Sequence, residues 1–253
     1  MKNNIKVITP FYNPAKFLLK NVRVSLNQKY SDYKVIFVDD CSTDGSWDKI
    51  PHTDERVISI KNQTRKTALE NIHDAIMNHC DPDDIVVLMD GDDWFPTRNV
   101  LAEVNDFYNK TGCWVSYGQA QWTSGIKGFA RPYTFDEFHN LRSSPFVVSH
   151  LRTFRAGLYQ GIANQDPEFR CLKDENGDFY KMTYDVAIML PLMEMAGFQK
   201  VKYNDNVWYI YNRDNPISDD KVNQKLQWDI HRQINEKEPF KLIEHYNEPR
   251  KEL

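Results

Sequence analysis

Short runs of consecutive apolar residues alternate with segments of helical period through the first half of the chain. The runs are "IKVIT" (5–9), "YKVIFVDD" (33–40), "RVISIK" (56–61), "DIVVLMD" (84–90) and "CWVSYG" (113–118). Between them the 3.6-residue period predicts helices over 15–27, 66–80 and 98–110. "VIFV" and "IVVLM" are apolar at successive positions, as in strands covered on both faces. Strands alternating with helices in this way predict an α/β fold with a mainly parallel central sheet flanked by helices. In such sheets ligands bind beyond the carboxyl ends of the strands. Two acidic clusters, Asp39-Asp40 and Asp90 to Asp93, stand at those ends.

The second half is less regular. From 119 to 183 turn signals recur at "TSGIKG", "RPY" and "DENGD", and long aromatic-bearing loops of this kind commonly carry function. Helical period returns at "TYDVAIMLPLMEMAG" (183–197), with Thr183 as the expected N-cap, Asp185 in the first turn, Pro191 inside and Gly197 as the stop. The tail from 219 reads as a polar amphipathic helix followed by a loosely held end. The organisation expected is one domain over 1–218, divided into halves at 120, with a helical extension over 219–253.

Composition narrows the function. The 253 residues are 41% hydrophobic and 13% aromatic, enough for a substantial core. A net charge of -4 provides no general basic field, so no nucleic acid partner is expected. The four cysteines form no CxxC pair, which speaks against a zinc site or a disulfide framework and for a reducing compartment. No apolar run approaches the roughly 20 residues that span a bilayer. No transmembrane segment is therefore expected, and the location expected is cytoplasmic, with peripheral membrane association and a homodimer both left open.

The acidic clusters suggest the chemistry. "VLMDGDDW" puts Asp90, Asp92 and Asp93 within four positions, and two carboxylates ~4 Å apart repel by roughly 1 kcal/mol in water and about 4 at an effective dielectric of 20. A divalent cation removes that cost. Aspartate oxygens suit Mn²⁺ or Mg²⁺, and an incomplete protein shell leaves room for a diphosphate. A solvated turn explains the same residues without a ligand. Asp39 or Asp40 could accept a hydrogen bond from a base or a ribose hydroxyl, or could form an Asx turn.

"VITPFYNPAKFLLKNVRVSLNQKY", "VIFVDDCSTDGS" and "VVLMDGDDW" stand in the order and spacing of family 2 glycosyltransferases of the GT-A fold, which the chain resembles over 5–98. The resemblance implies a Rossmann-like GT-A domain that binds a UDP-sugar through 1–120 and an acceptor through 121–218. It implies that Pro10, Phe11 and Tyr12 border the base and that Asp40 and Asp39 contact uracil and ribose. Asp90 and Asp92, with Asp93 adjacent, would hold the sugar nucleotide and its metal, with Gly91 letting the backbone turn so that the carboxylates converge. The family's glycine and Ala-Arg-Asn triplet give way here to "NQTRKTALENI". Arg65 or Lys66 could take a phosphate there, a solvated helix start being the alternative.

Inverting members of that family use a carboxylate to deprotonate the acceptor hydroxyl, and a positioned base supplies about 10²–10⁴ in rate. The matching position is Asp185, with Tyr184 where the first acid often stands; helix-dipole complementarity would select the same residue. The expected activity is metal-dependent transfer of glucose, galactose or an N-acetylhexosamine from UDP to a glycan, lipid-linked or protein hydroxyl, with inversion. His150, Arg152 and Arg155 are candidates to meet phosphate or sugar hydroxyls, with a surface helical turn as the alternative for the arginines. Trp122, Tyr133 and Phe146 could stack on sugars, and Arg213 and Ser218 loosely fit a segment that closes over the diphosphate. A histidine found there in some members is replaced by Asp214 or Asn215. The rival reading is a non-catalytic sugar- or partner-binding protein of the same fold. A haloacid-dehalogenase-like phosphatase is disfavoured, because its nucleophilic Asp-x-Asp belongs on the first strand.

Overall fold

Each apolar run of the first half becomes a strand: β1 (Ile5–Phe11), β2 (Tyr33–Asp39), β3 (Val57–Lys61), β4 (Ile85–Leu88) and β5 (Val115–Trp122). The computed structural model describes residues 1–214 and 223–246. Two more strands, β6 (Thr153–Arg155) and β7 (Val201–Tyr211), complete a seven-stranded sheet in the order β3-β2-β1-β4-β6-β5-β7. β1 pairs in parallel with β2 and β4, β2 with β3, and β5 with β7. β6 runs antiparallel between β4 and β5. The mainly parallel sheet is therefore present, with one reversed strand at the join of its halves.

Among the described residues seven α-helices pack around it: α1 (Ala15–Ser25), α2 (Ala68–His79), α3 (Val100–Thr111), α4 (Phe135–His139), α5 (Ala156–Gln160), α6 (Tyr184–Ala196) and α7 (Gln224–Asn235). Alternate strand residues feed two cores, since successive side chains point to opposite faces. Ile8, Ile36, Val86 and Leu88 meet Leu69 and Ile72 of α2 together with the apolar body of α6. Val7, Val35, Phe37 and Val87 meet Leu18 and Val22 of α1 and Leu101 and Val104 of α3 on the other side. Thr67 caps α2 by accepting the Glu70 N–H at 3.0 Å, and α3 stops at Gly112, whose φ of 61° is the left-handed conformation that glycine tolerates.

Three expectations are corrected. Thr183 stands at the N-cap position of α6 but its side chain does not cap it: its φ of 62° is left-handed and its hydroxyl donates instead to the Gln227 carbonyl at 3.5 Å. Arg152 to Arg155 do not lie on a surface helical turn; residues 153–155 are β6, and Arg152 is only 5% exposed. The stretch after α7 is not loosely held as far as residue 246. Lys237 donates to the carbonyls of Arg170 and Lys173, the Ile243 N–H donates to Met195 O at 3.0 Å, and the Tyr246 ring meets Trp114 edge-on at 5.4 Å. Among the described residues no helix is long and apolar enough to cross a membrane.

Candidate active site

β1, β2 and β4 all run in the same direction, so Phe11, Asp39 and the "MDGDD" turn emerge at one edge of the sheet. A cleft of about 930 Å³ opens there. Pro10, Phe11, Tyr12, Asp40, Arg65 and Lys66 line one wall. Asp40 Oδ1 accepts from the Lys66 N–H at 2.8 Å and from Asn62 at 3.0 Å, and Oδ2 accepts from Arg65 at 2.9 Å. Burial pushes the Asp40 pKa up, but these hydrogen bonds outweigh it and hold the carboxyl below its ordinary range. Arg65 also lies over the half-exposed Tyr12 ring, 3.4 Å from its centroid. The Lys66 ammonium is directed to Asp74 at 2.6 Å and Glu70 at 3.1 Å, so its backbone N–H, rather than its charge, faces Asp40. Asp39 is absent from the cleft lining. It is fully buried, with Oδ1 accepting the Ser42 N–H at 2.8 Å in an Asx-type turn.

The acidic turn after β4 divides its side chains between cleft and core. Asp90, Gly91 and Asp92 line the cleft, whereas Asp93 is 1% exposed behind it. Asp93 accepts from the Tyr209 hydroxyl at 2.6 Å and from the Asn212 N–H at 2.7 Å. Burial, then the charges of Asp92 and Asp90, raise its pKa well above the carboxylate range. Asp90 is lowered: burial opposes ionisation, and hydrogen bonding and charge from His150, with the Tyr184 hydroxyl at 2.6 Å, prevail. Gly91 lies in the turn itself, and close approach is what requires a glycine there. Its φ is not left-handed; instead a Cβ there would stand 2.5 Å from Phe11 Cβ. Glycine lets this turn lie directly against the end of β1.

The facing wall comes from the second half. Asp185, in the first turn of α6, accepts from Arg152 Nη2 at 2.9 Å and from the Val186 N–H at 2.9 Å. Arg152 also lines the cleft; its Nε is buried with no hydrogen-bond partner among the described residues. His150 stacks on Tyr209 at 4.2 Å and on Tyr211 at 5.6 Å, and its Nε2 lies 3.7 Å from Asp90. Burial and the adjacent Arg152 lower the imidazole pKa, against the opposing effect of Asp90 and Asp185.

The cleft thus brings together Pro10, Phe11, Tyr12, Asp40, Lys66, Asp90, Gly91, Asp92 and Asp185, but not Asp39 or Asp93. Arg155 is elsewhere, donating to Asp83 O at 2.7 Å. Tyr133 is core, and Trp122 stacks under Arg213 at 5.1 Å outside the lining. The Asp214 N–H donates to Asn212; Asn215 and Ser218 lie outside the described residues. Sequence reasoning missed Tyr184 and Tyr209 as partners of the aspartates. The two-residue spacing of Tyr209 and Tyr211 on one face of β7 was a usable signal for the surface on which His150 stacks.

The donor set suits a hard divalent cation. Ligand atoms of Asp90, Asp93 and His150 lie within 4.8 Å of one another, and Asp92 stands beside them on the cleft. Of these, Asp90, Asp92 and His150 line the cleft, whereas Asp93 lies behind it with both oxygens accepting hydrogen bonds.

Comparison with known proteins agrees with this geometry. The chain is 32% identical over 105 residues to WcaA of Escherichia coli (strain K12), a glycosyl transferase provisionally named for colanic acid biosynthesis, covering 39% of this chain and 37% of that protein. It spans little more than a third of the curated relatives it matches. Among solved structures, S. aureus TarS 1-349 in complex with UDP superposes with a TM-score of 0.59 at 17% identity, covering 84% of this chain and 61% of that one. The mannosyltransferase PcManGT from Pyrobaculum calidifontis, in complex with GDP-Man and Mn2+, superposes at 0.60 with 17% identity, covering 92% of this chain and 61% of that one. Both share the GT-A type fold seen here. The family model for Glycosyl transferase family 2 matches residues 6–163, and the chain belongs to that family.

Proposed function

We propose that this protein transfers a sugar from a UDP-sugar to a hydroxyl acceptor with inversion, using Asp185 as base and a divalent cation at Asp90 and Asp92. The observation that carries the reading is the pairing of two carboxylate sites across one cleft. Asp90 and Asp92 stand on the strand-end wall and Asp185 on the helix wall, joined through the Tyr184–Asp90 and Arg152–Asp185 hydrogen bonds. The UDP complex of TarS and the Mn2+ complex of PcManGT, both on this fold, support the donor and metal classes.

In this reading Tyr12, Asp40 and Arg65 take the nucleoside, and Arg152, which lines the cleft, faces the diphosphate. When bound, the cation stabilises the departing diphosphate as a Lewis acid. Asp185 accepts the acceptor hydroxyl's proton while the new C–O bond forms at the anomeric carbon and the sugar–phosphate bond breaks, its electron pair leaving with UDP. Arg152 and the Val186 N–H fix the carboxylate so that a lone pair stays aimed at the acceptor. Incubation with Mn²⁺ and a panel of UDP-glucose, UDP-galactose and UDP-N-acetylhexosamines, with free UDP measured with and without candidate acceptors, tests it. UDP release from at least one donor is expected. No release from any donor under any condition would favour a binding protein of the same fold.

A further inference from the structure

The first helix carries a charge that the chain as a whole does not share. Between Ala15 and Ser31 the sequence places Lys16, Lys20, Arg23 and Lys29 and no acidic residue, in a chain whose net charge is -4. α1 turns Leu18, Asn21, Val22 and Ser25 into the core. The 3.6-residue period therefore sets Lys16, Leu19, Lys20 and Arg23 on its outer face, where all four are exposed. Arg98 extends this face past the end of the helix, its Nε donating to the Asn27 carbonyl at 3.0 Å, and the Lys29 N–H donates to the Arg98 carbonyl at 2.6 Å. Among the described residues none of these five cations stands in an ion pair. Lys20 lies instead over the Trp94 ring, 3.3 Å from its centroid. The acids that flank the helix are engaged or offset. Asp44 accepts from the N–H groups of Ala15 and Ser46 and from the Ser46 hydroxyl, and Asp48, on the turn Trp47–Lys49 packed against α1, is followed by Lys49.

Like charges gathered on one face repel one another, and an anionic surface laid against them removes that cost. The shape of the face decides which anion fits. A single-stranded polyanion is held in a groove with aromatic platforms, whereas this face is the convex side of a helix and the indole beside it is covered by Lys20. A protein partner selects a contiguous apolar patch of several hundred Å². A bilayer fits better: a helix lying in its plane sets cations among the lipid phosphates and an apolar side chain at the acyl boundary, and clusters of about four to eight Lys and Arg on such a helix suit anionic lipid. Leu19, 49% exposed among Lys16, Lys20 and Arg23, supplies the apolar side chain. We propose that the outer face of α1, with Lys29 and Arg98, docks this protein on an anionic membrane surface. Tyr12 and Pro14, which lead into α1, line the cleft, so docking holds the cleft mouth near the headgroup layer. The surface stands apart from the transferase reading, and either can fail without the other.

The test floats the full chain with vesicles of phosphatidylcholine alone and with vesicles of equimolar phosphatidylcholine and phosphatidylglycerol. Flotation is expected with the anionic vesicles only, and it should fade between about 0.1 M and about 1 M salt, as the screening length shortens from about 10 Å to about 3 Å. Lys16→Gln combined with Arg23→Gln should lower the partition coefficient by about 25-fold, at roughly fivefold per cation removed. Leu19→Gln should lower it by about fivefold. Lys16→Arg with Arg23→Lys keeps the charge and should keep the binding. Lys225→Gln with Lys241→Gln, at two exposed cations on the α7 side of the sheet, should leave flotation unchanged. No flotation with anionic vesicles, or an equal loss in the Lys225 and Lys241 pair, would overturn the docking face. Retention on dextran sulfate that requires Lys16 and Arg23, without flotation, would overturn the membrane in favour of a soluble polyanion.

Discussion

The two walls of the cleft are made of different kinds of chain. On the strand-end wall, Pro10, Tyr12, Asp40, Asp90 and Asp92 follow directly from β1, β2 and β4, three adjacent parallel strands whose carboxyl ends coincide. On the helix wall, His150 and Arg152 precede a three-residue strand, Asp185 opens α6 after a left-handed Thr183, and the stacking surface comes from β7. The first wall is positioned by the sheet itself and needs few side-chain contacts to hold its shape. The second is positioned by buried polar contacts between segments distant in sequence, Arg152 to Asp185 and Tyr184 to Asp90. Binding groups on the first wall should therefore tolerate single substitutions better than the reacting group on the second.

The sharpest test of that contrast is Asp185→Asn. Transfer should fall by about 10²–10⁴, the contribution of a positioned base, while calorimetric UDP binding stays close to wild type, because the amide keeps an oxygen that can accept from Arg152, the residue that faces the diphosphate. Wild-type turnover in the variant would remove Asp185 from the chemistry. Loss of UDP binding together with turnover would instead show that the two walls are one cooperative unit.

Gly91→Ala addresses the strand-end wall next. An alanine Cβ would lie 2.5 Å from Phe11 Cβ, an atom fixed to the backbone of β1 that cannot swing away. Overpacking of this kind costs about 1–3 kcal/mol, to be read from urea unfolding, and the shift of the turn should weaken UDP binding as well. An unchanged unfolding midpoint would mean that β1 and the acidic turn are not held as closely as the structure has them.

How far the sequence revealed each wall follows the same division. β1 to β5 were legible because each is a run of apolar residues bounded by turn chemistry, and the acidic pair after β2 and the trio after β4 marked their ends. Position at a strand end did not reveal which carboxylate faces outward. Asp39 and Asp40 are adjacent, yet alternation along an extended chain sends Asp39 into the core and Asp40 to the cleft; after β4 a turn closed by the Asp93 N–H on Asp90 O puts Asp93 behind Asp90 and Asp92. β6 has three residues, too few for any period, so Arg152 could not be recognised as buried. The packed stretch after α7 was missed because its anchors are backbone groups of Arg170, Lys173 and Met195 and the side chain of Glu194, none of which is near it in sequence.

The smallest expected effect concerns Asp40, the one carboxylate that the strand-end wall surrounds with donors. Burial raises its pKa, but the Lys66 N–H, Asn62 and Arg65 lower it further than burial raises it, so the folded value lies below the unfolded one. A carboxyl shifted in that direction contributes stability that is fully present above its unfolded pKa of about 3.9 and is lost as the pH falls through the folded value. Asp40→Asn keeps an oxygen for the Lys66 N–H but loses the charge opposite Arg65, which is half exposed and therefore screened. The variant should be less stable than wild type by about 1 kcal/mol at neutral pH. The gap should close as both proteins are unfolded in urea at successively lower pH below about 4, where wild-type Asp40 becomes protonated and uncharged like its replacement. A gap that persisted undiminished at pH 3 would mean that Asp40 acts through hydrogen-bond shape and not through charge. The ordering of this wall would then reside in Asn62 and the Lys66 backbone, and Arg65 would be left to the nucleotide alone.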